Sequence, residues 1–91
     1  MKDTFNADLT APPGWIVEEL RLERRISLHD LAGETGLTVS EVQELEAGEF
    51  PIDSLLAERL EYVFGGSEHY WMKLELNYRN DLANGRKVHF D

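Results

Sequence analysis

Between Leu28 and Phe50 the chain reads LHDLAGETGLTVSEVQELEAGEF, and several separate constraints coincide within it. Leu31, Ala32 and Thr35 recur at three- to four-residue spacing, which puts them on one face of a short helix. Ser27 followed by Asp30 forms an N-terminal capping arrangement, with Asp in place of the more usual Glu. Gly36 stands where a tight interhelical turn needs a positive φ, a conformation that glycine adopts at little cost. Thr38 and Glu41 then write a full capping box for a second helix, with Val42 and Leu45 as its buried face and Gly48 as its C-terminal stop. A capped amphipathic pair could belong to any helical bundle. With a small Ala32 at the close approach and a glycine at the turn, the offsets favour a helix-turn-helix.

The same signals extend over the rest of the chain and predict an all-α bundle of five helices. Pro13 suits a first helical turn, and Ile16, Val17 and Leu20 form a stripe running to about Arg24. The two motif helices follow at roughly 28–35 and 39–47. Pro51 breaks the chain, and Asp53 caps a fourth helix with Leu56, Leu60, Val63 and Phe64 inward. Gly65-Gly66 ends it, Ser67 caps a fifth helix through about Leu82, and Asn84-Gly85 closes that. The expected organisation is a flexible arm over 1–12, one helical domain over 13–83 and a tail over 84–91. Within the tail, Lys87 to Phe90 has the character of a short extended segment.

Composition removes several function classes. A chain of 91 residues makes one domain, and the absence of cysteine excludes a disulfide framework, thiolate metal ligation and a thiol nucleophile. No apolar run approaches the ~18 residues of a membrane span, and the N-terminus lacks a signal peptide's apolar core, so a cytoplasmic protein is expected. His29, His69 and His89 lack ligand spacing, and Glu18-Glu19 are neighbours that diverge on a helix. The reading is therefore a non-enzyme with no metal and no cofactor. The formal net charge of -9 favours solubility and a cationic partner, and opposes long-range attraction to nucleic acid.

A longer set of residues carries a family resemblance. Pro13-Gly14, Ile16-Val17, Ser27, Leu31-Ala32, Gly36, Val42 and Gly48-x-x-Pro51-Ile52 come first. Ala57-x-Arg59-Leu60, Ser67 and Tyr70-Trp71-x-x-Leu74 with Asn77-Tyr78 follow. In that order and spacing they resemble the HigA-type antitoxins, a branch of the Cro/repressor (XRE) helix-turn-helix proteins, over roughly Pro13 to Leu82. The resemblance implies a Cro/repressor-like fold whose C-terminal helix helps form a two-fold dimer. It also implies a protein that binds operator DNA and a basic toxin.

The candidate sites follow from the motif and the resemblance. Helix-turn-helix geometry turns Thr38, Ser40, Glu41, Gln43 and Glu44 towards a major groove. That face is acidic: Thr38 to Phe50 contains Glu41, Glu44, Glu46 and Glu49 but no Lys or Arg. Glu46 reads as part of a solvated helix face, whereas Glu41, Glu44 and Glu49 together form a candidate acidic partner-binding surface. Family members commonly carry Gln where this chain has Leu28, and a basic pair where it has Glu49 and Phe50, so the usual phosphate anchors are missing. Arg21, Arg24 and Arg25 cluster elsewhere, as partners for Glu18, Glu19 and Glu23 or as displaced phosphate contacts, and Arg59 is read as structural. In the fifth helix Tyr70, Trp71, Leu74 and Tyr78 are candidate homodimer contacts, although the same stripe could complete a small core.

Two readings result. The first is a HigA/XRE-like DNA-binding regulator, an antitoxin that represses its own operon and binds a basic toxin. The second keeps the scaffold but uses its acidic face for protein binding or DNA mimicry.

Overall fold

The computed structural model describes residues 9–88, with side chains over 11–86. Residues 1–8 of the expected arm, and His89 and Phe90 of the expected tail, lie outside this range. The element order is β1 (Leu9–Thr10), α1 (Pro13–Glu23), α2 (Leu28–Thr35), α3 (Val39–Glu46), α4 (Ser54–Phe64), α5 (Glu68–Ala83) and β2 (Lys87–Val88). The five helices match the expected ones to within a residue or two at each end. The strands are only two residues each and pair in parallel, Leu9 opposite Lys87 and Thr10 opposite Val88. Segments expected as a separate arm and tail thus meet beside α5.

Every helix start has the predicted local chemistry. Pro13 opens α1 without a side-chain cap. Ser27 Oγ accepts from Asp30 N at 2.9 Å, Asp53 Oδ1 from Leu56 N at 2.8 Å, and Ser67 Oγ from Tyr70 N at 3.0 Å. At α3 the capping box is complete: Thr38 Oγ1 accepts from Glu41 N at 3.0 Å, and Glu41 Oε1 accepts from Thr38 N at 2.9 Å. Each satisfies amide donors that a helix leaves unpaired in its first turn. Gly36 ends α2 at φ 76°, and its N–H and that of Leu37 both return to the Ala32 carbonyl, at 2.9 and 3.1 Å. This is the left-handed residue that the turn requires.

Val17, Leu31, Val42, Leu45, Leu60 and Trp71 are the largest fully buried side chains, so all five helices contribute to one core. Helices α1 and α3 approach closely at Gly14. A Cβ placed on Gly14 would lie 1.7 Å from the Leu45 carbonyl oxygen, so the backbones touch where only glycine fits. Trp71 spans the α4–α5 corner, its indole N–H donating to Gly65 O at 3.0 Å. Arg24 reaches across from the end of α1 to the end of α4. It donates to the Val63 and Phe64 carbonyls at 3.1 and 3.2 Å and lies 5.4 Å from the Phe64 ring centroid. A cation there complements the negative end of the helix dipole.

Candidate nucleic-acid and partner interface

The exposed side of α3 is set by what its other side buries. Val42, Leu45 and Glu46 face inward, leaving Ser40, Gln43 and Glu44 in solvent. Thr38 is also exposed, but its hydroxyl is engaged with the Glu41 amide. Glu41 is half-buried, and one of its carboxylate oxygens is held by Thr38 N. Of the five expected reading residues, two are therefore tied to the helix start. Ser40, Gln43 and Glu44 remain unencumbered.

The flanks keep their unusual character. Leu28 and Phe50 are half-buried and pack on the core, so neither offers a donor to a phosphate. Glu49 is exposed beside them. A shallow cleft of 360 Å³ between α1 and α3 is lined by Glu18, Arg21, Leu28, Gln43, Glu46 and Ala47, which adds another carboxylate to this side. Its one arginine is already bound.

Glu46 departs most clearly from the sequence reading. It is 8% exposed rather than solvated, and Arg21 grips it with two hydrogen bonds, Nε to Oε2 at 2.6 Å and Nη2 to Oε1 at 3.1 Å. A third bond runs from Arg21 Nη1 to the Ile26 carbonyl at 3.1 Å. One guanidinium thus ties α1, the α1–α2 loop and α3 together. The hydrogen bond to Glu46 is the main reason that Arg21 is held protonated above its ordinary pKa, against the opposing effect of burial. Arg21 is therefore not a displaced phosphate contact. Arg24 is engaged at the end of α4, and Arg59 lies over Gly36, where its Nη1 would be 2.8 Å from an added Cβ. Neither pairs with the adjacent glutamates of α1.

The stripe on α5 divides between core and surface. Trp71 and Tyr78 are 1% and 5% exposed and belong to the interior of the protomer, so they offer a second copy almost no area. Leu74 is half-buried, and Tyr70 is 46% exposed while meeting Trp71 edge-on at 5.5 Å. Leu76 is also exposed on this helix. Glu75 was not anticipated as a structural residue. It is buried, and its Oε2 accepts from Ile52 N at 3.2 Å and Arg79 Nε at 2.8 Å, pinning the α3–α4 loop to α5.

Among the described residues no cluster of three or more His, Asp or Glu side chains is placed to hold a metal ion, and no helix is long and apolar enough to cross a membrane. His29 and His69 lie exposed on different helices.

Comparison with solved structures finds the same arrangement of helices in an addiction module antidote protein of the HigA family from Coxiella burnetii, with a TM-score of 0.70. The two chains share 28% sequence identity over 81% of this chain and 84% of that one. The chain is HigA-like. No protein-family model matches it, and no curated protein matches it either. The likeness thus rests on the solved structure, over 81% of this chain and 84% of that one.

Proposed function

We propose that the protein is the antidote of an addiction module: a helix-turn-helix regulator that binds the operator of its own operon and neutralises a basic toxin in the cytoplasm. The observation that carries this reading is the structural likeness to a HigA-family antidote over 81% of this chain. An exposed α3 carrying Ser40, Gln43 and Glu44 supports the DNA-binding half. In a major groove Gln43 suits adenine, through its paired donor and acceptor, and Glu44 accepts from the cytosine amino group. A second copy joins through the side of α5 that carries Tyr70 and Leu74, giving two α3 helices for a two-fold operator.

With Leu28 and Phe50 turned into the core and Glu49 beside them, few phosphates are contacted. Affinity then falls less steeply with salt than for a basic repressor, since the slope follows the number of phosphates neutralised. Binding to the upstream DNA should be measured across a salt series. A specific complex at low salt with a shallow slope supports the proposal; no specific complex at the lowest salt removes the repressor half. The toxin half is tested by co-expressing the chain with the product of the adjacent reading frame and scoring growth rescue.

The second reading, an acidic face used for protein binding or DNA mimicry, is favoured by Glu44 and Glu49 standing exposed with no Lys or Arg between Thr38 and Phe50. Glu41, being spent in the capping box, contributes little to it. Substituting Glu44 and Glu49 by Gln separates the two. DNA affinity holds or rises under the first reading, except where Glu44 meets a cytosine, and a protein partner is lost under the second.

A further inference from the structure

A groove of about 820 Å³ runs between the outer face of α2 and the end of α4, away from the reading positions of α3. Ile26 and Val63 supply its apolar lining and Asp30 and Glu34 its carboxylates, with Gly33, Tyr62 and His29 completing it. We propose that this groove is the docking site for an arginine side chain, with an adjoining apolar residue, on a basic partner protein. The proposal deepens the antidote reading and rests on it in taking the toxin as the partner.

Several features coincide there that do not serve the isolated protein. Asp30 and Glu34 are like charges four residues apart on one helix face, a repulsive spacing. Glu34 stands in the last turn of α2, where the dipole disfavours an anion and the turn itself carries no basic residue, the Arg59 guanidinium lying beyond it over Gly36. Neither carboxylate has a side-chain partner among the described residues, and no lysine or arginine lines the groove. The Arg24 guanidinium is turned to the Val63 and Phe64 carbonyls. Gly33 is within a helix, where glycine is a poor former, yet a Cβ at this site would meet nothing within 4 Å. Its lack of a side chain does not serve packing; it keeps the groove open.

Tyr62 completes the arrangement. It is 80% exposed, the most exposed large hydrophobic residue of the described chain. An aromatic face beside two unpaired carboxylates suits a guanidinium, which stacks on the ring while its planar N–H groups donate to the carboxylates. Ile26 and Val63 then take the apolar neighbour. Local rules broken together at one surface point to a role in binding. Because this site shares no residue with Ser40, Gln43 and Glu44, partner and DNA can be held at once.

The full-length protein should be titrated with short amphipathic peptides of leucine, alanine and arginine, followed by amide NMR shifts. Versions with lysine or glutamate in place of arginine serve as controls. Shifts are expected at Gly33, Glu34 and Tyr62, strongest for arginine and absent for glutamate. Asp30→Asn with Glu34→Gln should weaken binding by ~10-fold or more, whereas Glu44→Gln with Glu49→Gln, which removes the same charge, should change it less than ~2-fold. Gly33→Leu, which has room to fold, should block the groove and abolish the shifts. Equal losses from both charge pairs, or shifts centred on α3, would overturn the proposal. In co-expression the two levels separate. Rescue by the wild type and equally by the Asp30/Glu34 variant removes the groove and leaves the antidote reading standing. No rescue by the wild type removes the antidote reading, and the peptide titration alone then decides the groove.

Discussion

Replacing Glu46 by alanine should be among the most damaging single changes available to this chain. The carboxylate accepts from Arg21 at 2.6 and 3.1 Å, and the side chains are 11% and 8% exposed, Arg21 and Glu46 respectively. Without Glu46 the guanidinium keeps the Ile26 carbonyl, at 3.1 Å, as its hydrogen-bond partner and only the weaker attraction of Glu18 for a charge largely removed from water. Breaking a buried pair by deleting one member costs about 3–5 kcal/mol, because the remaining charge is uncompensated. A domain of 91 residues has roughly 5–14 kcal/mol in total, so between a fifth and all of the stability is at stake. The midpoint of thermal unfolding should fall by about 12 °C or more.

Urea unfolding followed by tryptophan fluorescence and by far-ultraviolet dichroism measures the loss, with Glu46→Gln as an intermediate that keeps an acceptor. The joint replacement Arg21→Met with Glu46→Leu should regain most of it, since a packed apolar pair avoids the desolvation of both ions. Arg21 is held protonated by Glu46 above its ordinary value. A base raised in the folded state contributes stability below its unfolded pKa and loses it only as pH rises through the folded one. Arg21 therefore brings no loss of stability through the neutral and mildly alkaline range. A cost below ~1 kcal/mol for Glu46→Ala, the size of a solvent-exposed pair, would refute the reasoning.

Three smaller predictions use the same unfolding assay. Gly14→Ala should leave the protein mostly unfolded, because the added Cβ would fall 1.7 Å from Leu45 O; the loss should exceed the ~1–3 kcal/mol of ordinary overpacking. Thr38→Ala removes the hydroxyl that holds Glu41 N and should cost about 1 kcal/mol. Gly33→Ala should stabilise α2 by up to ~1 kcal/mol, as nothing lies within 4 Å of the new methyl. A loss there would mean that Gly33 serves packing after all.

The helices were legible because their signals are local. Ser27, Thr38, Asp53 and Ser67 each cap the helix that follows within three residues, and Gly36 marks a turn whose conformation few other residues accept. What escaped was long-range. Gly14 reads as the second residue of a helix, and only the approach of Leu45 shows why it has no side chain. Arg21 and Glu46 lie 25 residues apart, and nothing in either neighbourhood names the other. A signal for the glutamate was present all the same. Glu46 follows Val42 and Leu45 at the offsets of a buried stripe, and Glu75 sits likewise among Trp71, Leu74 and Tyr78. A carboxylate on a core stripe demands a partner, and both are buried and paired. Trp71 and Tyr78, whose size fits either an interface or a small core, are buried in the chain's own interior.

These structural demands also bear on how an acidic α3 can persist on this scaffold. The position of α3 depends on Gly14, on the Arg21–Glu46 grip and on the capping box of Thr38 and Glu41, all of which act from its inner face or its start. None requires a basic outer surface. Glu44 and Glu49 are therefore changeable at little cost to the fold, and substituting both by Gln should shift stability by no more than ~0.5 kcal/mol. If their unfolding midpoint hardly moves while DNA or partner affinity changes, the acidic face is maintained for binding. Should the pair prove as costly as Glu46, the face would be structural, and neither reading of α3 would draw support from its charge.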